Sequence, residues 1–103
     1  MHDFGLSPEH EARLLQILSC FPEVADAIVF GSRAMGNYKA GSDIDLALKA
    51  STTIPLARMM QLNSAIEGTN IPYKVDLIDF NSIDNDELRS HIIMHGHSLF
   101  RSK

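Results

Sequence analysis

Asp43 and Asp45 stand two residues apart in SDIDLALK (42–49), a stretch that alternates polar and apolar side chains as a half-buried strand does. Residues two apart on a strand point the same way, about 6.5–7 Å from each other along the backbone. Two carboxylates held that close repel each other, and burying them is unfavourable unless a cation sits between them. Carboxylate pairs of this kind suit Mg²⁺, which takes a few carboxylate oxygens and completes its shell with water and phosphate. Asp76, in the middle of YKVDLIDF (73–80), supplies a third carboxylate if that stretch is a strand lying beside 42–49. Two-metal sites for phosphoryl chemistry hold their ions about 3.5–4 Å apart, a span that three carboxylates can clamp. Read alone, Asp-x-Asp on a strand describes a solvent-facing polar side equally well, and the same holds for Asp76 and Asp79.

Gly31 and Ser32 follow an apolar run that ends at Phe30. A glycine there permits a sharp turn and close approach to a ligand. If a short helix begins at Ser32, its free amides and the serine hydroxyl form a seat for phosphate oxygens, with Arg33 adding a fixed positive charge. Alone, Gly-Ser is a turn or a helix cap. Taken together the two halves read apolar, Gly31-Ser32, ten residues, Asp43, Ile44, Asp45, Leu46. This arrangement resembles the nucleotidyltransferase superfamily of DNA polymerase β. FGSRAMGNYKAGSDIDLAL resembles in particular the minimal nucleotidyltransferases (MNT proteins) of bacteria and archaea, antitoxins often paired with a helical HEPN toxin. The likeness is specific over 28–48 and looser over the remainder, through VDLIDF and HIIMHGHSLF.

The resemblance implies that Gly31 and Ser32 hold a nucleoside triphosphate and that Asp43 and Asp45 bind the metals, with Asp76 as the third catalytic carboxylate and a candidate base. Arg33 matches an arginine common in the minimal group, either a phosphate contact or a support for the loop, and Lys39 is carried over as a phosphate contact. It implies two Mg²⁺ ions, ATP as substrate, and transfer of AMP to a hydroxyl, a tyrosine of the HEPN toxin by analogy. Two rival readings remain open. One is a non-catalytic antitoxin that neutralises its partner by contact; the other is a nucleotidyltransferase acting on a small molecule.

The elements that must position these residues are legible from pattern. Ser7-Pro8-Glu9 is a helix start, with a capping serine, a first-turn proline and acids suited to the dipole. Leu14, Leu15, Leu18 and Phe21 then recur at helical spacing, and Pro22 ends the run. VADAIVF (24–30) reads as a strand. On 42–49, Asp43, Asp45 and Ala47 share one face, and Ile44, Leu46 and Leu48 share the other. Leu56, Met59, Met60 and Ile66 keep a helical rhythm closed by Gly68 and Asn70, 73–80 is a third strand, DNDELRSHIIMHG is a last helix stopped by Gly96, and HSLFR is a closing strand. The expected fold is α/β (α+β), a small mixed β-sheet flanked by helices, with the polymerase β-like fold implied by the resemblance.

The chain has 103 residues, expected to form one domain over 1–103, because a second core would not fit. Its net charge of −4 offers no general attraction to nucleic acid, so direct nucleic-acid binding is not expected. Residues 1–13 lack the basic start and apolar run of a signal peptide, and no apolar run approaches the ~20 residues of a membrane helix, so a cytoplasmic location is expected. One cysteine, Cys20, makes no internal disulfide and reads as a small apolar helix residue. His91 and His95 stand four apart on the last helix, a zinc-capable spacing, but lack an adjacent glutamate and a third ligand, so they read as an ordinary helix pair. Met59, Met60 and Met94 read as core fill or partner-facing surface, Tyr38 as a loop residue able to stack on a base, Ser42 as a support for the turn into the strand, and Lys74 as a charge that offsets the acidic cluster. The assembly is left open between a hetero-oligomer and a homodimer.

Overall fold

The structure is a computed structural model that describes residues 6–31, 33, 43–69 and 71–101. Its elements run α1 (Pro8–Ser19), β1 (Asp26–Phe30), β2 (Ile44–Lys49), α2 (Leu56–Glu67), β3 (Val75–Asp79), a 3-10 turn (Phe80–Ser82), α3 (Asp86–His95) and β4 (His97–Arg101). Any helix opening at Ser32 falls almost wholly outside the described residues.

The four strands form one mixed sheet in the order β3-β2-β1-β4. β1 pairs antiparallel with β2 and with β4, while β2 and β3 run parallel. A parallel pair needs a long crossover, and α2 provides it. Strand alternation splits the core into two layers. Ala27, Val29, Ile44, Leu46 and Leu48 pack beneath α1 and α2 with Leu14, Leu18, Leu62 and Ile66. Ile28, Phe30 and Ala47 point the other way, against Ile83 and the α3 residue Ile92. Asp45 alternates with Leu46 and Ile44, which puts it on the α3 side of the sheet.

Local signals explain the ends. Ser7 accepts a hydrogen bond from the His10 amide at 3.2 Å and caps α1, a contact worth about 1 kcal/mol. Asn85 does the same for α3 from the Leu88 amide at 3.1 Å. Asp79 accepts from the amides of Ile54 (2.8 Å) and Asn81 (3.0 Å) and the hydroxyl of Ser82 (3.2 Å), so it ties the entry of α2 to the end of β3. Gly96 closes α3 where a Cβ would meet Ile28 Cγ2 and the Ile92 carbonyl at 2.4 Å.

Four expectations shift. β2 begins at Ile44, whose amide bonds the Lys74 carbonyl at 2.8 Å, so Asp43 lies just before the strand and is exposed. β3 begins at Val75 rather than Tyr73. Leu56 is 75% exposed because Leu62 and Ile66 define the buried stripe of α2. Cys20 caps the C-terminus of α1 from an exposed position instead of packing within it. The methionines divide: Met59 packs partly against the core, whereas Met60 and Met94 are exposed.

Candidate active site

The end of β1, the start of β2 and the start of β3 meet on the α3 side of the sheet. Register puts Phe30 opposite Asp45 and Asp45 opposite Asp76, so the second and third carboxylates stand on adjoining strands and the Gly31 turn leaves directly beside them. Gly31 takes φ +76°, a left-handed setting that favours glycine. A Cβ there would fall 2.6 Å from Asp45 Oδ2, so turn and carboxylate are in close contact and no larger residue fits without moving one of them.

Burial, then the negative charges of Asp76 and Asp43, push the Asp45 carboxyl above its ordinary value. The three aspartates are therefore neighbours in an electrostatic sense. Lys74 Nζ lies 3.6 Å from Asp76 Oδ1 in a solvent-exposed pair, the offset expected of it. Among the described residues no three His, Cys, Asp or Glu side chains converge into a group able to hold a metal. Mg²⁺ needs fewer protein donors than that: it takes one or two carboxylates and completes its shell with water and substrate phosphate. Mutually repelling carboxylates fit such an ion.

Arg33 is 2% exposed and its guanidinium lies 4.5 Å from the centroid of the Tyr73 ring, which in turn meets the His10 ring edge-on at 5.9 Å. This stack ties Arg33 to the approach of β3 and to α1. Ser32, Lys39, Tyr38 and Ser42 lie outside the described residues.

Sequence reasoning missed His91. Its Nε2 accepts a hydrogen bond from the Gly31 amide at 3.3 Å, and its ring meets Phe30 edge-on at 6.4 Å and His95 at 5.2 Å. The Gly31 amide is thus directed at α3. A signal did exist: His91 falls on the inward stripe of α3 with Leu88 and Ile92, while Ile93 and Met94 face out.

The polymerase beta nucleotidyltransferase family matches residues 12–103. The chain is similar to the probable protein adenylyltransferase MntA of Haemophilus influenzae, 33% identical over 57 residues, which is 55% of this chain and 50% of that protein. It thus spans about half the length of that curated relative. Its fold is similar to a toxin–antitoxin crystal structure with AMP-PNP (TM-score 0.74, 24% identity, 90% of this chain and 74% of that one). It is also similar to a structure of a tri-AMPylated Shewanella oneidensis HEPN toxin in complex with MNT antitoxin (TM-score 0.68, 22% identity, 91% and 71%). At these identities the structural likeness establishes the fold. The match over 12–103, on a chain whose Gly31 turn abuts an aspartate in register with another, makes this protein a member of the polymerase beta nucleotidyltransferase family.

Proposed function

We propose that this protein is a Mg²⁺-dependent nucleotidyltransferase that moves AMP from ATP to a tyrosine hydroxyl of a HEPN-type toxin and so acts as its antitoxin. The observation that carries this reading is the left-handed Gly31 turn pressed against Asp45, itself in register with Asp76 on the neighbouring parallel strand. The acceptor and partner rest on the relatives' names, an adenylyltransferase and an AMPylated HEPN toxin bound to its antitoxin. Residues 1–103 form a domain that acts in the cytoplasm, where a chain with one cysteine suits the reducing conditions.

Asp43 and Asp45 are the metal-holding pair, and Asp76 completes the site on the acceptor side. Two Mg²⁺ ions, when bound, neutralise phosphate charge and make the acceptor hydroxyl more acidic. Gly31 and Ser32 seat the distal phosphates, and Lys39 adds a phosphate contact. The acceptor oxygen bonds the α-phosphorus as the bond from that phosphorus to the bridging oxygen breaks, pyrophosphate departs with that oxygen, and Asp76 takes the hydroxyl proton. Lys74 balances Asp76 while the site is open to solvent. Arg33, buried against Tyr73, supports the loop that carries the phosphate contacts.

The test incubates purified protein and Mg²⁺ with the HEPN partner and ATP labelled at either the α- or the γ-phosphate. Label is expected to enter the partner from the α position alone, and Asp43→Asn or Asp45→Asn should reduce it at least about 100-fold, the scale of losing a main electrostatic contributor. Unlabelled partner that still binds the protein would sink the enzyme and leave a contact antitoxin.

A further inference from the structure

We propose that His91 is a positioning residue for the triphosphate end of the nucleotide site, acting through Gly31; this rests on the nucleotide-binding reading above. Glycine's freedom makes the Gly31 peptide the least constrained point of the turn, and Gly31 is itself read above as a seat for the distal phosphates. β1 ends its pairing with β2 at Phe30↔Asp45, so the Gly31 amide lies past the ladder. Its hydrogen-bond acceptor comes from another element, the imidazole Nε2 on α3 at 3.3 Å. The ring is itself fixed, edge-on to Phe30 and half-buried on the inward stripe of α3 beside Ile92. The same turn also abuts Asp45 Oδ2. Gly31 thus meets both an imidazole from α3 and a carboxylate from β2, and His91 selects one orientation of a peptide that would otherwise have several.

This role affects distal phosphates and not the α-phosphate, so it predicts a change in selectivity. Binding of a non-hydrolysable ATP analogue and of AMP, each with Mg²⁺, is measured calorimetrically for the wild type, His91→Ala, His91→Gln and His95→Ala. His91→Ala should weaken the analogue roughly three- to tenfold, the scale of one net hydrogen bond, with AMP unchanged. His91→Gln, whose amide oxygen can accept from Gly31, should recover most of the loss, and His95→Ala should match the wild type. If His91→Ala does not fold, His91→Gln against His91→Met gives the same contrast of acceptor and no acceptor. Equal analogue affinity in His91→Ala and wild type, or equal losses for analogue and AMP, would overturn the proposal. A wild type that binds AMP but shows no preference for the analogue would also overturn it. A wild type that binds neither ligand would instead overturn the nucleotide reading itself, and this proposal with it.

Discussion

Asp45 is held in a costly state. Its pKa is raised from 3.8 by burial and by the charges of Asp76 and Asp43. Below 3.8 the carboxyl is protonated whether the chain is folded or unfolded, and its share of stability is fully present. As pH rises, the unfolded chain ionises first, so that share is lost as pH passes through the raised folded value. At neutral pH, without metal, Asp45→Asn is therefore expected to raise Tm, with the gap closing below pH 3.8. Melting curves in chelator across pH 3–7 check this, and a Tm at or below that of the wild type at pH 7 would contradict it. The same variant should lose transfer activity, so the residue trades stability for chemistry.

Among the elements, α2 lacks a side-chain cap at Pro55 and is anchored by its neighbours. Asp79 holds the Ile54 amide just before it, and Arg58 in its first turn bonds Glu23 at 2.6 and 3.0 Å while lying over the Phe21 ring. The Arg58 hydrogen bond, above all, lowers the Glu23 pKa from 4.5 to about 2. A depressed carboxylate stabilises the fold above pH 4.5 and loses that contribution as pH falls toward about 2. Glu23→Gln is expected to melt below the wild type at neutral pH, with a difference that shrinks under acid and, the pair being partly exposed, under added salt. A difference unchanged between pH 7 and pH 3 would contradict this. The elements were largely legible in the sequence because their signals are local: the Ser7 cap, the apolar alternation of 44–48 and the Gly96 stop each act within a few residues. Leu56 keeps the helical rhythm and is nonetheless 75% exposed, because the pattern does not say which turn of the helix reaches the sheet. His91 showed only that it faces inward. Which strand end it meets depends on β1 lying between β2 and β4, a non-local pairing that no short pattern states.

At the scale of the molecule, the sheet divides its work between its faces. The α1/α2 side is an apolar layer, and the carboxylates stand on the side that α3 covers only in part. α3 has two aspects: His91 points inward to the Gly31 turn, while Ile93 and Met94 are 63% and 75% exposed on its outer surface. The helix therefore presents one face to the site turn and the other to solvent. A protein that gripped Ile93 and Met94 and a nucleotide that settled beside Gly31 would press on the same ten residues from opposite directions. If each moved α3, each would change the affinity for the other, and thermodynamic linkage would make the two changes equal in factor.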